Sequence, residues 1–497
     1  TYTDFMVNIN KRIDDFTVVV NAGTSLSDNS SDLLGYGGPI RDTGVPNVFN
    51  VFDLDNAKKR ATQEGWEEMT QSIFASAEIG WKSMLYLTLT GRNDWASQLK
   101  GSNPTSFFYP SVGLSAVISE MVTLPKAIDY LKVRGSFSSV GTPYPRFLVQ
   151  PTYSYDPTKQ DWNAKTHYPI GKLKPERTDS WEIGVDGTFF KDFKVSGSFY
   201  YANTYNQTFD PKITVSSGYS TLYVQTGYVR NLGVEGLLSY GHTWRDFGWN
   251  SNFTFSWNKN KIVELVKDYV HPETGEIVNK DRLELKGLGY TKFILKEGGT
   301  LGDLYTNADF IRDDKGYIQI DKNGDVAKTD NLPDIKLGSV FPKANLAWNN
   351  SFSYKGIYAG FQLSARLGGI VYSATQAALD QYGVSEASAA ARDRGGVLVN
   401  GRSWVNAQQY YEIVATSSGL PQYYTYSATN LRLQEAHIGY TIPRKWLGNI
   451  CDINVSVVGR NLWMIYCKAP FDPEAIATTS NFYQGIDYFM MPSTRNF

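Results

Sequence analysis

Apolar and polar residues alternate with a period of two along most of this chain, the signature of strands with two unlike faces. Phe193, Val195, Gly197, Phe199 and Tyr201 point one way, and Lys194, Ser196, Ser198 and Tyr200 the other. Leu131, Val133 and Phe137 alternate with Lys132, Arg134, Ser136 and Ser138. Phe253, Phe255 and Trp257 alternate with Thr254, Ser256 and Asn258, as do Phe361, Leu363, Ala365 and Leu367 with Gln362, Ser364 and Arg366. One face suits an apolar environment and the other suits water. A soluble sandwich has the same period, so alternation alone leaves the solvent open.

The connections narrow the choice. Short ones are predicted near 12–15, 81–84, 124–129, 190–192, 245–248, 355–357 and 443–450. Long ones lie between them, at 28–66, 92–105, 141–175, 205–222, 259–343, 373–427 and 468–487. Strict alternation of short and long connections is the habit of bacterial transmembrane barrels, with short periplasmic turns and long external loops. A Greek-key sandwich scatters its loop lengths. The predicted fold is therefore all-β, an antiparallel transmembrane β-barrel of about fifteen strands, the last running into Phe497. Single-chain bacterial barrels have even strand numbers, so an odd count implies further strands.

Composition agrees with this reading. No run of about 18 apolar residues occurs, which excludes a membrane-spanning helix. Mean hydropathy is −0.33, as expected where every lipid-facing residue alternates with a lumen-facing one. The 33 Tyr and 12 Trp are the residues that settle at membrane–water interfaces. With 48 basic and 49 acidic residues the net charge is −1, and no basic tract interleaved with aromatics points to nucleic acid. Cys451 and Cys467 form neither a metal motif nor a disulfide framework. His167, His242, His271 and His437 are scattered singly, and no nucleophile elbow or phosphate-cradling loop appears, so no enzyme is expected. No cofactor is expected either.

The sharpest local motif is Asp321-Lys322-Asn323-Gly324-Asp325. A calcium loop built on Asp321, Asn323 and Asp325 would want glycine sixth and glutamate twelfth. Glycine is fourth here, and an Asn-Gly turn accounts for the string more simply.

Several strings, in order from about 85 to the end, carry a family resemblance: Thr90-Gly91-Arg92-Asn93-Asp94-Trp95, Phe108-Tyr109-Pro110-Ser111-Val112-Gly113, Leu131-Lys132-Val133-Arg134-Gly135-Ser136, Leu173-Lys174-Pro175-Glu176-Arg177-Thr178, Asn231-Leu232-Gly233-Val234-Glu235-Gly236 and Gly459-Arg460-Asn461-Leu462. Together with the closing Met491-Pro492-Ser493-Thr494-Arg495-Asn496-Phe497, the sequence resembles SusC/RagA-type TonB-dependent outer-membrane transporters. The resemblance implies a barrel of about 22 strands around a plug. Residues 1–497 would be its C-terminal portion, strands 8 to 22, with the signal peptide, N-terminal extension, TonB-box, plug and first strands outside it. It further implies TonB-dependent import of oligosaccharides in the outer membrane of Bacteroidota. The implied partners are a SusD-like surface lipoprotein acting as a lid and, through the N-terminal part, TonB of the TonB-ExbB-ExbD complex. A peptide importer of the RagA kind, a siderophore or cobalamin receptor, and a soluble β-rich glycan-binding module are the alternatives. The candidate substrate- or lid-contacting residues are Trp95, Tyr109, Tyr155, Trp162, Tyr223, Trp404 and Tyr424, because aromatic rings stack on the C–H faces of sugars. An interfacial aromatic belt and packing among loops compete with that role at each position. Lumen-side Lys132, Arg134, Glu182, Asp186 and Arg366 would tune passage, grip a plug or neutralise one another.

Overall fold

A computed structural model describes residues 1–497 except 43–47, 49, 103, 149–152, 157–160, 165–166, 169–173, 210–220, 223, 226, 271–274, 276, 286, 290, 479–483 and 492. The expected alternation forms one antiparallel meander of 14 strands, each pairing with its neighbours along the chain. The strands are Tyr2–Ile13, Phe16–Gly37, Arg60–Trp81, Leu85–Ala96, Phe107–Val117, Ile128–Thr142, Glu176–Phe189, Phe193–Tyr205, Tyr228–Trp244, Phe247–Glu264, Ala344–Tyr354, Ile357–Leu367, Asn430–Ile442 and Ile453–Cys467. Among the described residues the first and last do not pair with each other.

Register aligns the apolar positions into rows across the sheet. Ile183 stands opposite Phe199, Phe199 opposite Val234, and Val234 opposite Trp257. The row below continues from Val195 through Leu238, Phe253, Trp348 and Leu363 to Leu433. Most of these side chains are exposed, Ile183 at 63%, as is Trp181 on the same face at 60%, while Trp257, Leu363 and Leu433 are half-buried. A contiguous exposed apolar band of this extent is what lipid covers on a transmembrane barrel. The opposite face carries Ser180, Glu182, Asp186, Ser196 and Ser198.

Two departures from the expected layout have physical causes. The loop expected at 28–66 is shortened at both ends by strand, since Phe16–Gly37 and Arg60–Trp81 pair over 22 residues each. A membrane-spanning strand needs about 9–11 residues, so this hairpin projects well beyond the others. The run Asp28-Asn29-Ser30-Ser31-Asp32 is polar on both faces, with Glu68 and Glu67 opposite Asn29 and Ser30, which interrupts the apolar period without weakening the backbone ladder. The fifteenth strand, into Phe497, is reduced among the described residues to one antiparallel bridge, Arg460 with Asn496. Its approach is diverted: Ile486–Asp487 pairs in parallel with Tyr372–Ser373, where Ser373 Oγ donates to Asp487 at 2.5 Å.

The densest packing lies outside the sheet, in the long connections at one end. Residues from 265–343, 368–429 and 468–487 fold together into a cap. It contains a four-stranded sheet (Arg282–Leu285, Lys292–Lys296, Asp303–Thr306, Ile335–Ser339) and a three-stranded one (Ile370–Ser373, Thr425–Ser427, Ile486–Asp487). Three helices, Ala374–Gln381, Glu386–Asp393 and Ala407–Val414, complete it. Ser385 closes a capping box with Ser388, and the Asn406 side chain accepts from the N–H groups of Gln408 and Gln409, so two of the helices are locally specified. The core joins Phe293, Leu295, Leu304, Val340, Val414 and Leu420.

Candidate functional site

The face opposite the apolar band is a wall of hydrogen bonds and ion pairs. Near the long-loop end, Arg92 Nε donates to Asp94 Oδ1 at 2.7 Å and Arg92 Nη2 to Ser72 Oγ at 2.7 Å. The Tyr109 hydroxyl donates to Asp94 Oδ2 at 2.5 Å. Deeper, Arg134 pairs with Glu182 and lies 3.6 Å from Asp186, which accepts from Ser196 at 2.6 Å. Gly184 makes room for that guanidinium, because a Cβ there would sit 2.6 Å from Arg134 Cζ. Of the charges expected on this wall, Arg134 thus stands between the carboxylates of Glu182 and Asp186, one cation for two anions. Lys132 is in register with Asp186, and Arg366 donates to the Val340 carbonyl at 2.7 Å, tying the wall to the cap. Arg92 and Asp94 were legible in principle, as oppositely charged residues two apart on one strand share a face.

The candidate aromatics do not share a cavity. Trp95 is on the band side of its strand, opposite Gln71, where an interfacial belt residue belongs. Tyr109 is on the polar wall. Tyr155 and Trp162 face each other across the hairpin Tyr153–Asp156 and Asp161–Ala164 with ring centroids 5.2 Å apart, both exposed. They are the only two of the set in ring contact among the described residues. Trp404 is exposed on a cap hairpin opposite exposed Leu398. Tyr223 lies outside the described residues. Tyr424 is corrected: it is 4% exposed inside the cap, where its hydroxyl donates to Asp380 Oδ2 at 2.9 Å. Burial and the Asp380 carboxylate push that hydroxyl's pKa up, and it holds the cap together instead of meeting a ligand.

The motif at 321–325 is a turn. Asp321 Oδ1 accepts from the N–H groups of Asn323 and Asp325 at 2.8 and 2.9 Å, and Gly324 supplies the left-handed φ of +88°. Asp313 does the same for Lys315 and Tyr317, both at 2.9 Å, with Gly316 at +82°. Among the described residues no group of three or more His, Cys, Asp or Glu is placed to hold a metal ion.

One cap network escaped the sequence reading. Arg282 grips Asp334 with both arms, Nε at 2.8 Å and Nη2 at 2.9 Å, and Lys296 Nζ lies 3.0 Å away. The hydrogen bond from Arg282, with Lys296 adding to it, holds the Asp334 carboxyl down at about 2. An unfolded aspartate titrates near 3.9, so this contribution to cap stability is complete above about pH 4 and is lost as pH falls toward 2. Pepsin cleavage within 265–343 is expected to accelerate across that window, and Arg282→Met to flatten the dependence.

The profile of the family described as TonB dependent receptor-like, beta-barrel matches residues 2–462. TonB-dependent receptor P3 of Formosa agariphila is 24% identical over 456 residues, covering 86% of this chain and 44% of that protein. TonB-dependent receptor SusC of Bacteroides thetaiotaomicron is 24% identical over 246 residues, 44% of this chain and 24% of that one. The RagAB peptide importer in its closed-closed state superposes with a TM-score of 0.74 at 17% identity, over 99% of this chain and 54% of that one. The chain therefore spans about half the length, or less, of these proteins. With the meander, the apolar band and the profile match in agreement, the chain belongs to the TonB-dependent receptor β-barrel family and is a wall of the bacterial outer membrane.

Proposed function

We propose that the protein imports oligosaccharides across the outer membrane, as the barrel component of a complex with a SusD-like surface lipoprotein. Residues 1–497 are then the C-terminal portion of the barrel. The plug and the TonB-box that engages the TonB-ExbB-ExbD complex belong to the N-terminal part of the same protein. One observation carries the reading: a polar lumen wall on which Arg92 is paired with Asp94 and Arg134 with Glu182 and Asp186, beneath a folded cap at the long-loop end. A wall that pairs several of its charges internally suits a neutral, hydrogen-bonding cargo better than a strongly charged one. Exposed aromatic pairs such as Tyr155 and Trp162 offer stacking surfaces above it. The likeness to RagAB is one of fold, and peptide cargo is the second reading.

Growth of a deletion strain and its complemented parent on single carbon sources tests this. The strain is expected to lose growth on one class of oligo- or polysaccharide while growing normally on the constituent monosaccharide. A defect confined to peptides transfers the reading to a peptide importer, and a defect confined to iron limitation transfers it to a siderophore receptor. Normal growth throughout overturns import.

A further inference from the structure

At the opposite end of the sheet from the cap, the short turns carry a recurring group of three: a ring, a cation and a carboxylate. Trp81 ends its strand on the band face, in the two-residue period of Gln71, and Tyr354 ends its strand in a row with Trp244, Phe247 and Ile357. Lys82 and Lys355 follow these rings, each ammonium 5.4 Å from the centroid of the ring before it. Lys82 Nζ lies 3.3 Å from Asp15 Oδ2, and Lys355 Nζ lies 3.6 Å from Asp246 Oδ2, each carboxylate belonging to the neighbouring turn. At a third short connection Arg444 Nε is 3.7 Å from Asp452 Oδ1, with exposed Trp446 two residues on.

Two observations set these groups apart from ordinary surface charge. Among the described ion pairs, these three alone leave both side chains at least 45% exposed, and all three are at the short-turn end. Pairs so open contribute little to stability, so they are not what holds the turns. In addition, Lys82, Lys191, Arg245 and Lys355 hold φ at +49°, +67°, +54° and +46°. Tight hairpin turns of this hand favour Asn or Gly, and a long cationic side chain there is more than the turn itself requires. Lys191-Asp192 and Arg245-Asp246 set the same two charges side by side.

We propose that the short-turn rim binds headgroups of phosphatidylethanolamine in the periplasmic leaflet. That headgroup joins a phosphate to a primary ammonium through two carbons, the reverse polarity of each cation–carboxylate pair. The phosphate oxygens accept from the turn cation, and the ammonium donates to the turn carboxylate. The ring lies beside the glycerol backbone, where amphipathic aromatics settle. Phosphatidylglycerol meets the same cation but has no ammonium to answer the carboxylate, which repels it. Phosphatidylcholine carries the positive charge without an N–H to donate. The inference rests on the place of the sheet in the membrane and is independent of the cargo.

The test is native mass spectrometry of the full-length protein in detergent, titrated separately with phosphatidylethanolamine, phosphatidylcholine and phosphatidylglycerol of matched acyl chains. The ethanolamine lipid is expected to bind with a Kd about fivefold below the other two, the worth of one added charge contact at a membrane surface. Replacing the three carboxylates together (Asp15→Asn, Asp246→Asn, Asp452→Asn) should erase the preference over phosphatidylcholine. Replacing the three cations (Lys82→Gln, Lys355→Gln, Arg444→Gln) should weaken the ethanolamine lipid by a similar factor. The heat-dependent shift in gel mobility reports that each variant is folded, and the comparison among lipids on the unaltered protein decides the matter where one is not. Equal binding of the three lipids, tighter binding of phosphatidylglycerol, or a preference that either folded triple variant leaves unchanged overturns the proposal.

Discussion

Phe293→Ala is expected to destabilise the cap by about 3–5 kcal/mol, the usual range for deleting a fully buried phenylalanine, while leaving the sheet in place. Phe293 is the largest side chain among the fully buried residues and sits in the middle of the cap core beside Leu295 and Leu304. Its strand, Lys292–Lys296, pairs on one side with Arg282–Leu285 and on the other with Asp303–Thr306. A void there is bordered by ladder hydrogen bonds and cannot collapse cheaply. Val229 and Ile262 of the wall reach into this core, but the wall's own ladder continues without it through Phe247–Glu264, Ala344–Tyr354 and Ile357–Leu367. Limited proteolysis of the full-length variant should therefore cut within 265–343 and 368–429, while the barrel keeps the heat-dependent shift in gel mobility of a folded outer-membrane protein. Loss of that shift together with the cap would mean that the two fold as one unit.

The second large effect concerns the band. Ile183→Arg is expected to cost about 2–4 kcal/mol, the value for a cation near the bilayer midplane on a barrel's lipid face. Ile183 lies near the centre of Glu176–Phe189, with Phe199 opposite on one side and Gly135 on the other. Gly135 offers no side chain along which a guanidinium can reach a polar surface. Ser180→Arg, three residues away on the lumen face, should cost much less, because there the charge meets water and polar groups. The comparison is made by denaturant titration of both variants refolded into bilayers. Equal losses would show that the two faces do not see different solvents.

The wall was legible because its physics is local. Alternation at Phe193–Tyr205 or Phe361–Leu367 reports a strand whose two faces meet different media, and turn chemistry reports where it ends. Six of the seven short connections fall where expected. The seventh is longer, running from Ile118–Met121, a single helical turn, to Ile128. The cap was not legible as a unit, although Leu283 and Leu285 do alternate with Arg282 and Glu284. Its strands are only two to five residues long, and they pair across wide sequence separations, as Asp303–Thr306 does with Ile335–Ser339. Period alone cannot tell such fragments from decorated loops.

The aromatic candidates show a further limit. Sequence marks a Tyr or Trp as amphipathic but does not place it. Trp95 and Tyr109 are close in the chain yet lie on opposite faces, and Tyr424, in a tyrosine-rich string, is buried on Asp380. The pairing of Glu68 with Arg146 joins residues 78 apart, and nothing local announces it.

The most direct test of the central claim, that this sheet stands in a bilayer with Ile183, Val185 and Phe199 turned to lipid, is a site-directed nitroxide scan. It uses the full-length protein reconstituted in bilayers, with Cys451 and Cys467 replaced by serine and alanine, and single cysteines placed at 180, 183, 185, 198 and 199. Positions 183, 185 and 199 should show the high oxygen and low nickel-chelate accessibility of a hydrocarbon environment, and 180 and 198 should not. The same accessibility on both faces, or the reverse pattern, would contradict the account.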